Sequence, residues 1–128
     1  MPHLSIEYSS NIEHDAKLGE LCAELSRTLV QTGLFELGAI RVRALRADVF
    51  TIADALPQNG FADLSLRIGA GRSLEEKRRT GEALFAVASK HFAPLFTAPH
   101  FALSLEIREI DAELSWKKNA IHPRLRGK

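Results

Sequence analysis

Pro2 stands directly behind the initiator methionine. Removal of that methionine would leave a secondary amine at the chain's start. An α-amino group titrates at roughly 7.7–8.0, and an apolar pocket or a nearby cation lowers that value by disfavouring the charged form. Such an amine takes and gives protons near neutral pH, which makes position 2 a candidate general base. Aminopeptidases accept a small second residue, so loss of Met1 is expected. A retained Met1 would turn the Pro2 nitrogen into an amide with no usable lone pair.

Other chemistries are weaker. His3, His14, His91, His100 and His122 show neither His-x-His nor His-Glu-x-x-His spacing, so they do not read as metal ligands, and surface or capping roles suffice for them. Cys22 is the one cysteine, which excludes an internal disulfide; its place on a helical apolar stripe makes it a core residue.

A proline at position 2 is common, and the residues after it decide whether it is held in place. His3-Leu4-Ser5-Ile6-Glu7-Tyr8 alternates polar and apolar side chains, the pattern of a strand with one buried face. His3 would point to the face opposite Pro2. Ser10 with Glu13 resembles a capping box, and Leu18, Leu21, Cys22, Leu25 and Leu29 then recur at helical spacing up to a stop at Gly33. Residues 39–49 read as a strand with Ile40, Val42 and Ala44 on one side and Arg41 and Arg43 on the other. A looser stretch with Pro57, Asn59 and Gly60 forms a junction.

Beyond it the pattern repeats. Leu64-Ser65-Leu66-Arg67-Ile68 echoes Leu4-Ser5-Ile6-Glu7-Tyr8, Ser73 with Glu76 forms a second capping box, and Leu74, Gly81, Leu84, Phe85, Ala88 and Phe92 mark a second helix. Residues 102–110 alternate again. The expected fold is α/β: two tandem β-α-β units, a four-stranded sheet with both helices on one face. One domain should span 1–128, with repeats at 2–56 and 61–110 and a tail at 111–128. Aligning Leu4 with Leu64 sets Ala62 in the place of Pro2, so the second unit cannot repeat the chemistry.

Composition limits the function classes. The 128 residues are 45% hydrophobic and 26% charged with a net charge of +1, which suits a globular domain rather than a nucleic-acid binder recognised by charge. No apolar stretch approaches the ~20 residues needed to span a bilayer, and the start lacks a signal-peptide layout, so a cytoplasmic protein is expected. The basic end, residues 124–128, reads as a frayed terminus.

Met1-Pro2 opening a strand, Gly71-Arg72-Ser73 with Glu75-Glu76-Lys77 opening a helix, and the tandem β-α-β order resemble the tautomerase superfamily, whose members use an amino-terminal proline. The Gly-Arg-Ser-x-Glu-x-Lys run is similar to 4-oxalocrotonate tautomerase. Thr32-Gly33, Ile40-Arg41, the run from Ile68 to Glu75, Asn119 and His122 are closer still to the 5-carboxymethyl-2-hydroxymuconate isomerase family. That resemblance covers nearly the whole chain. It implies a cofactor-free isomerase that moves a proton along a 2-hydroxydiene carboxylate in homoprotocatechuate breakdown.

By the same resemblance Pro2 is the base and then the acid, Arg72 binds one substrate carboxylate, and Arg41 binds the other end and draws electron density toward the carbonyl. Arginine suits both tasks because its planar fork meets carboxylates in bidentate geometry and keeps its charge. Arg43 reads as an ordinary exposed strand residue. Trp116 matches either an aromatic that walls the proline from water or a packing anchor at a subunit contact. The resemblance also implies a homotrimer, and no nucleic-acid or membrane partner. Two further readings share the fold: a sister enzyme such as a dehalogenase, decarboxylase or phenylpyruvate-type tautomerase, and a non-catalytic cytokine-like binding trimer.

Overall fold

The structure, a computed structural model, describes residues 1–127. β1 (His3–Ser9) keeps to its alternation: Leu4, Ile6 and Tyr8 are buried, while His3, Ser5 and Glu7 lie on the open face. The expected capping box at Ser10 is absent. Residues Ser10–Ile12 form a 3-10 turn and α1 (Glu13–Ala16) lasts four residues. Lys17, at φ 45° in the left-handed region, then breaks the chain before α2 (Leu18–Gln31). The reason is a stronger competitor for the Glu13 carboxylate, which accepts from the Tyr8 hydroxyl at 3.0 Å and from Arg46 at 3.0 Å. A charged donor outbids a local backbone N–H.

α2 buries Leu21, Leu25 and Leu29 against the sheet, with Cys22 packed at the edge of the same core. Gly33 ends this segment at φ 74°, a conformation that a Cβ would strain. A 3-10 turn at Leu37–Ala39 leads into β2 (Arg41–Ala47), shorter at both ends than the alternation suggested, which runs parallel to β1 with His3 opposite Arg41.

β3 (Gly60–Gly69) returns antiparallel to β1, and α3 (Leu74–His91) begins with the expected capping box. Glu76 N–H donates to Ser73 Oγ at 3.1 Å, and Ser73 N–H donates to Glu76 Oε1 at 2.9 Å. β4 (Phe101–Ile110) then pairs parallel with β3, giving the strand order β2-β1-β3-β4. Ala62, Leu64, Leu66 and Ile68 of β3 meet Leu84, Ala88 and Phe92 from the α3 side in one continuous core. The fold class is as expected: a four-stranded mixed sheet with the two long helices packed on one face.

β1 and β3 pair about Ser5 opposite Ser65, so a local two-fold axis carries Leu4 onto Leu64 and Pro2 onto Ala62. Through the parallel ladders the same axis carries Arg41 onto Ser104. The second unit therefore holds alanine and serine where the first holds proline and arginine.

The tail departs from its expectation. Residues 124–126 belong to α4 (Ile121–Arg126), which packs against the Leu37–Ala39 turn; Lys128 lies outside the described residues. A Cβ at Gly38 would stand 2.7 Å from the His122 ring Nδ1 and 3.2 Å from His122 Cα, so a side chain here would push α4 outward. Arg126 pairs with Glu36, and Asn119 fixes the segment by donating to the Gly38 carbonyl at 2.9 Å. None of the described helices is long and apolar enough to cross a membrane.

Candidate active site

Pro2 is fully buried at the head of β1, and its carbonyl accepts the Arg41 backbone N–H at 3.1 Å. This bond extends the β1–β2 ladder by one step, which fixes the proline against the strand that carries Arg41. In the chain described, Met1 precedes it and bears the terminal amine. Burial holds that amine below its ordinary value, and the charges of Lys117, Arg72 and Arg41 lower it further.

Two hollows meet at this terminus. The first, about 550 Å³, is lined by Pro2, Phe35, Arg72, Asn119 and His122. Arg72 enters it from the loop between β3 and α3, where Gly71 turns the chain at φ 112°. Three contacts hold its guanidinium. Nη1 donates to the Gly69 carbonyl at 3.2 Å, Nη2 donates to the Leu34 carbonyl at 2.9 Å, and the Cζ sits 4.5 Å above the Phe35 ring. The guanidinium carries five N–H donors, so donors remain for a carboxylate.

The second hollow, about 600 Å³, opens on the polar face of the sheet and is lined by His3, Arg41, Arg67, Trp116 and Lys118. Arg41 donates through Nη1 to the Ala39 carbonyl at 3.3 Å. Met1 and Lys117 border both hollows. Thus Arg72 and Arg41, distant in sequence, line two hollows that share the chain's start.

The remaining candidates occupy different places. Trp116 is 86% exposed in the single chain and borders the second hollow without covering Pro2. Arg43 is exposed on the strand and approaches His3 Nδ1 at 3.4 Å. His3 lies on the open face away from the buried Pro2, and burial, followed by Arg67, Arg41 and Arg43, lowers its pKa. His91 pairs with the Ala16 carbonyl.

Sequence reasoning gave no role to Phe35, Lys117 or Glu36. Phe35 was signalled only by an apolar Leu34-Phe35 pair just past the helix stop. Lys117 adjoins Trp116 in a polar stretch with no periodicity. His122 proves to line the first hollow rather than the free surface, with Nδ1 3.3 Å from Glu36 Oε2.

Known proteins share this sequence and fold. A family model described as 5-carboxymethyl-2-hydroxymuconate isomerase matches residues 2–125. The 5-carboxymethyl-2-hydroxymuconate Delta-isomerase of Escherichia coli is 41% identical over 122 residues, 95% of this chain and 97% of that one. The crystal structure of a 5-carboxymethyl-2-hydroxymuconate isomerase from Deinococcus radiodurans R1 superposes with a TM-score of 0.93 at 43% identity, covering 98% of this chain and 94% of that one. A fused 4-OT symmetric trimer shares the fold at 15% identity and a TM-score of 0.63, over 91% of this chain and 93% of that one. With the family match running over residues 2–125 and a relative 41% identical over nearly the whole length of both chains, this chain belongs to the 5-carboxymethyl-2-hydroxymuconate isomerase family.

Proposed function

We propose that the chain, once Met1 is removed, isomerises 5-carboxymethyl-2-hydroxymuconate to its conjugated 2-oxo form, with Pro2 as the proton carrier. The observation that carries this reading is that the fully buried Pro2 lines the hollow that Arg72 enters, while Met1 ahead of it also borders the hollow of Arg41. The substrate is a dienol with carboxylates at both ends. Arg72 binds one terminal carboxylate and Arg41 the other, which lays the diene across the imino nitrogen.

Neutral Pro2 accepts the proton of the 2-hydroxyl group. The oxygen's electron pair becomes the C2 carbonyl, the double bonds shift by one position to lie between C3 and C4, and C5 takes the proton back from the prolinium. One proton leaves oxygen and one arrives at carbon, so the reaction balances without a cofactor. Negative charge spreads along the diene between the two steps, and fixed guanidinium groups stabilise it because they need no reorganisation. Burial and the neighbouring cations keep the amine in its neutral, basic form near pH 7.

We further propose a homotrimer, in keeping with the shared fold of the fused 4-OT trimer. The 86% exposure of Trp116 in a single chain fits a role at a subunit contact beside the second hollow. A cytoplasmic setting fits a chain whose single cysteine packs on the core.

The test is a spectrophotometric assay with 2-hydroxymuconate and 5-carboxymethyl-2-hydroxymuconate, alongside intact-mass measurement. Isomerisation by protein that lacks Met1 is expected. Full activity in protein that retains Met1 would overturn the role of Pro2.

A further inference from the structure

Four residues stand side by side in one row across the open face of the sheet. His3 is opposite Arg41 on β2 and Arg67 on β3, and Arg67 is opposite Arg108 on β4. Like charges directly opposite one another destabilise a sheet, so stability gives no reason for arginine at 67. Arg108 turns to Glu106, with Nε 2.9 Å from Oε1. Arg67, by contrast, has no carboxylate within ion-pair distance among the described residues.

The hollow beneath Arg67 is of one sign. Arg41, Arg67, Lys117 and Lys118 line it, and no aspartate or glutamate does. The whole chain has a net charge of only +1, so this concentration of cations is local. A concave surface of a single sign draws in the opposite charge. The hollow also adjoins the Pro2 site through Met1, which borders both, so removal of Met1 brings them together around the imino nitrogen.

We propose that Arg67 is a specificity residue that binds the carboxylate of the substrate's carboxymethyl arm. The inference rests on the function proposed above. The muconate skeleton supplies two carboxylates, which Arg72 and Arg41 take, and the arm at C5 supplies a third. A third carboxylate calls for another cation on the same bound molecule. Arg67 lies in the hollow of Arg41, exposed and without an acidic partner, one strand beyond His3.

Arg67→Gln separates this from a structural role when both substrates are measured. 2-Hydroxymuconate has the same diene and terminal carboxylates but no arm. For Arg67→Gln, kcat/KM on 5-carboxymethyl-2-hydroxymuconate should fall about tenfold through KM, the scale of one charge-assisted hydrogen bond. On 2-hydroxymuconate the change should stay within about twofold. Arg67→Lys, which keeps the charge, should recover most of the loss. Equal losses on both substrates, or none on either, would overturn the subsite and leave the isomerase reading intact. A wild-type chain inert toward both substrates would overturn the isomerase reading, and the subsite with it.

Discussion

The backbone N–H of Arg41 donates to the carbonyl oxygen of Pro2 at 3.1 Å, so the proposed base and the proposed carboxylate-binding arginine are joined through the backbone. The contact continues the parallel ladder that begins with His3 opposite Arg41. Position is thus supplied by sheet geometry rather than by a flexible terminus. Fixing a base relative to the charge it must work beside removes much of the entropy cost of reaching the reactive arrangement.

Pro2→Ala tests the base itself. Met1 should still be removed, leaving a primary amine on a more mobile backbone and without the pyrrolidine ring that fills the buried end of β1. The expected result is a fall in kcat of about 10²-fold, at the low end of what a positioned proton carrier contributes. Stopped-flow absorbance with mass-checked protein measures it. An unchanged kcat would remove Pro2 from the chemistry.

Charge around the amine sets the pH dependence. The base acts when neutral, so kcat/KM should fall on the acid side as the amine protonates. Burial first, then Lys117, Arg72 and Arg41, hold the terminal amine of the described chain below its usual value, and on the proposed reading the same cations act on the Pro2 amine once Met1 is gone. Lys117→Gln removes a charge that opposes protonation, so the amine's pKa rises and the acid limb moves to higher pH. The plateau at high pH should be retained. Lys117→Arg should leave the limb where it is. A pH–rate profile of the three proteins decides the matter, and a limb that moves to lower pH in Lys117→Gln would contradict the sign.

Arg72 is held by two carbonyls and an aromatic ring, and the ring gives a graded test. Arg72→Ala should raise KM by about 10- to 100-fold, the range for hydrogen bonds to a charged group. Phe35→Leu keeps an apolar side chain but removes the π face beneath the guanidinium. Its KM should rise by about fivefold, matching a cation–π contact of roughly 1 kcal/mol. Steady-state kinetics with circular dichroism on both variants separates loss of the clamp from loss of fold.

The sheet, both long helices and the repeat are legible in the sequence because side-chain periodicity is a local property that burial enforces. Leu4, Ile6 and Tyr8 can face only one way in a strand, and Leu21, Leu25 and Leu29 only one way in a helix. The candidate site is legible in part. Pro2 announces itself by position, and Arg41 and Arg72 by resemblance. The clamp on Arg72 is not legible, since its Leu34 contact spans 38 residues and no local pattern encodes it. Nor does composition reveal the docking of α4, which depends on the absence of a side chain at Gly38. Arg67 reads as one more polar residue on an exposed face until β1, β3 and β4 are laid side by side.

The two serines read as helix caps differ in the fold, and that difference can be measured. Ser73 Oγ accepts from the Glu76 N–H at 3.1 Å at the start of an 18-residue helix. Ser10 begins a 3-10 turn, and no side-chain hydrogen bond caps the short helix after it. Ser73→Ala should therefore cost about 1 kcal/mol, the usual value of an N-cap hydroxyl, and lower Tm by roughly 4 °C. Ser10→Ala should stay within about 0.5 kcal/mol of the parent, as surface changes away from special contacts do. Thermal melts at one fixed protein concentration keep any effect of assembly equal between the variants. Equal losses at both positions would mean that a cap forms at Ser10 in solution. The local sequence would then have outweighed the hold of Tyr8 and Arg46 on Glu13.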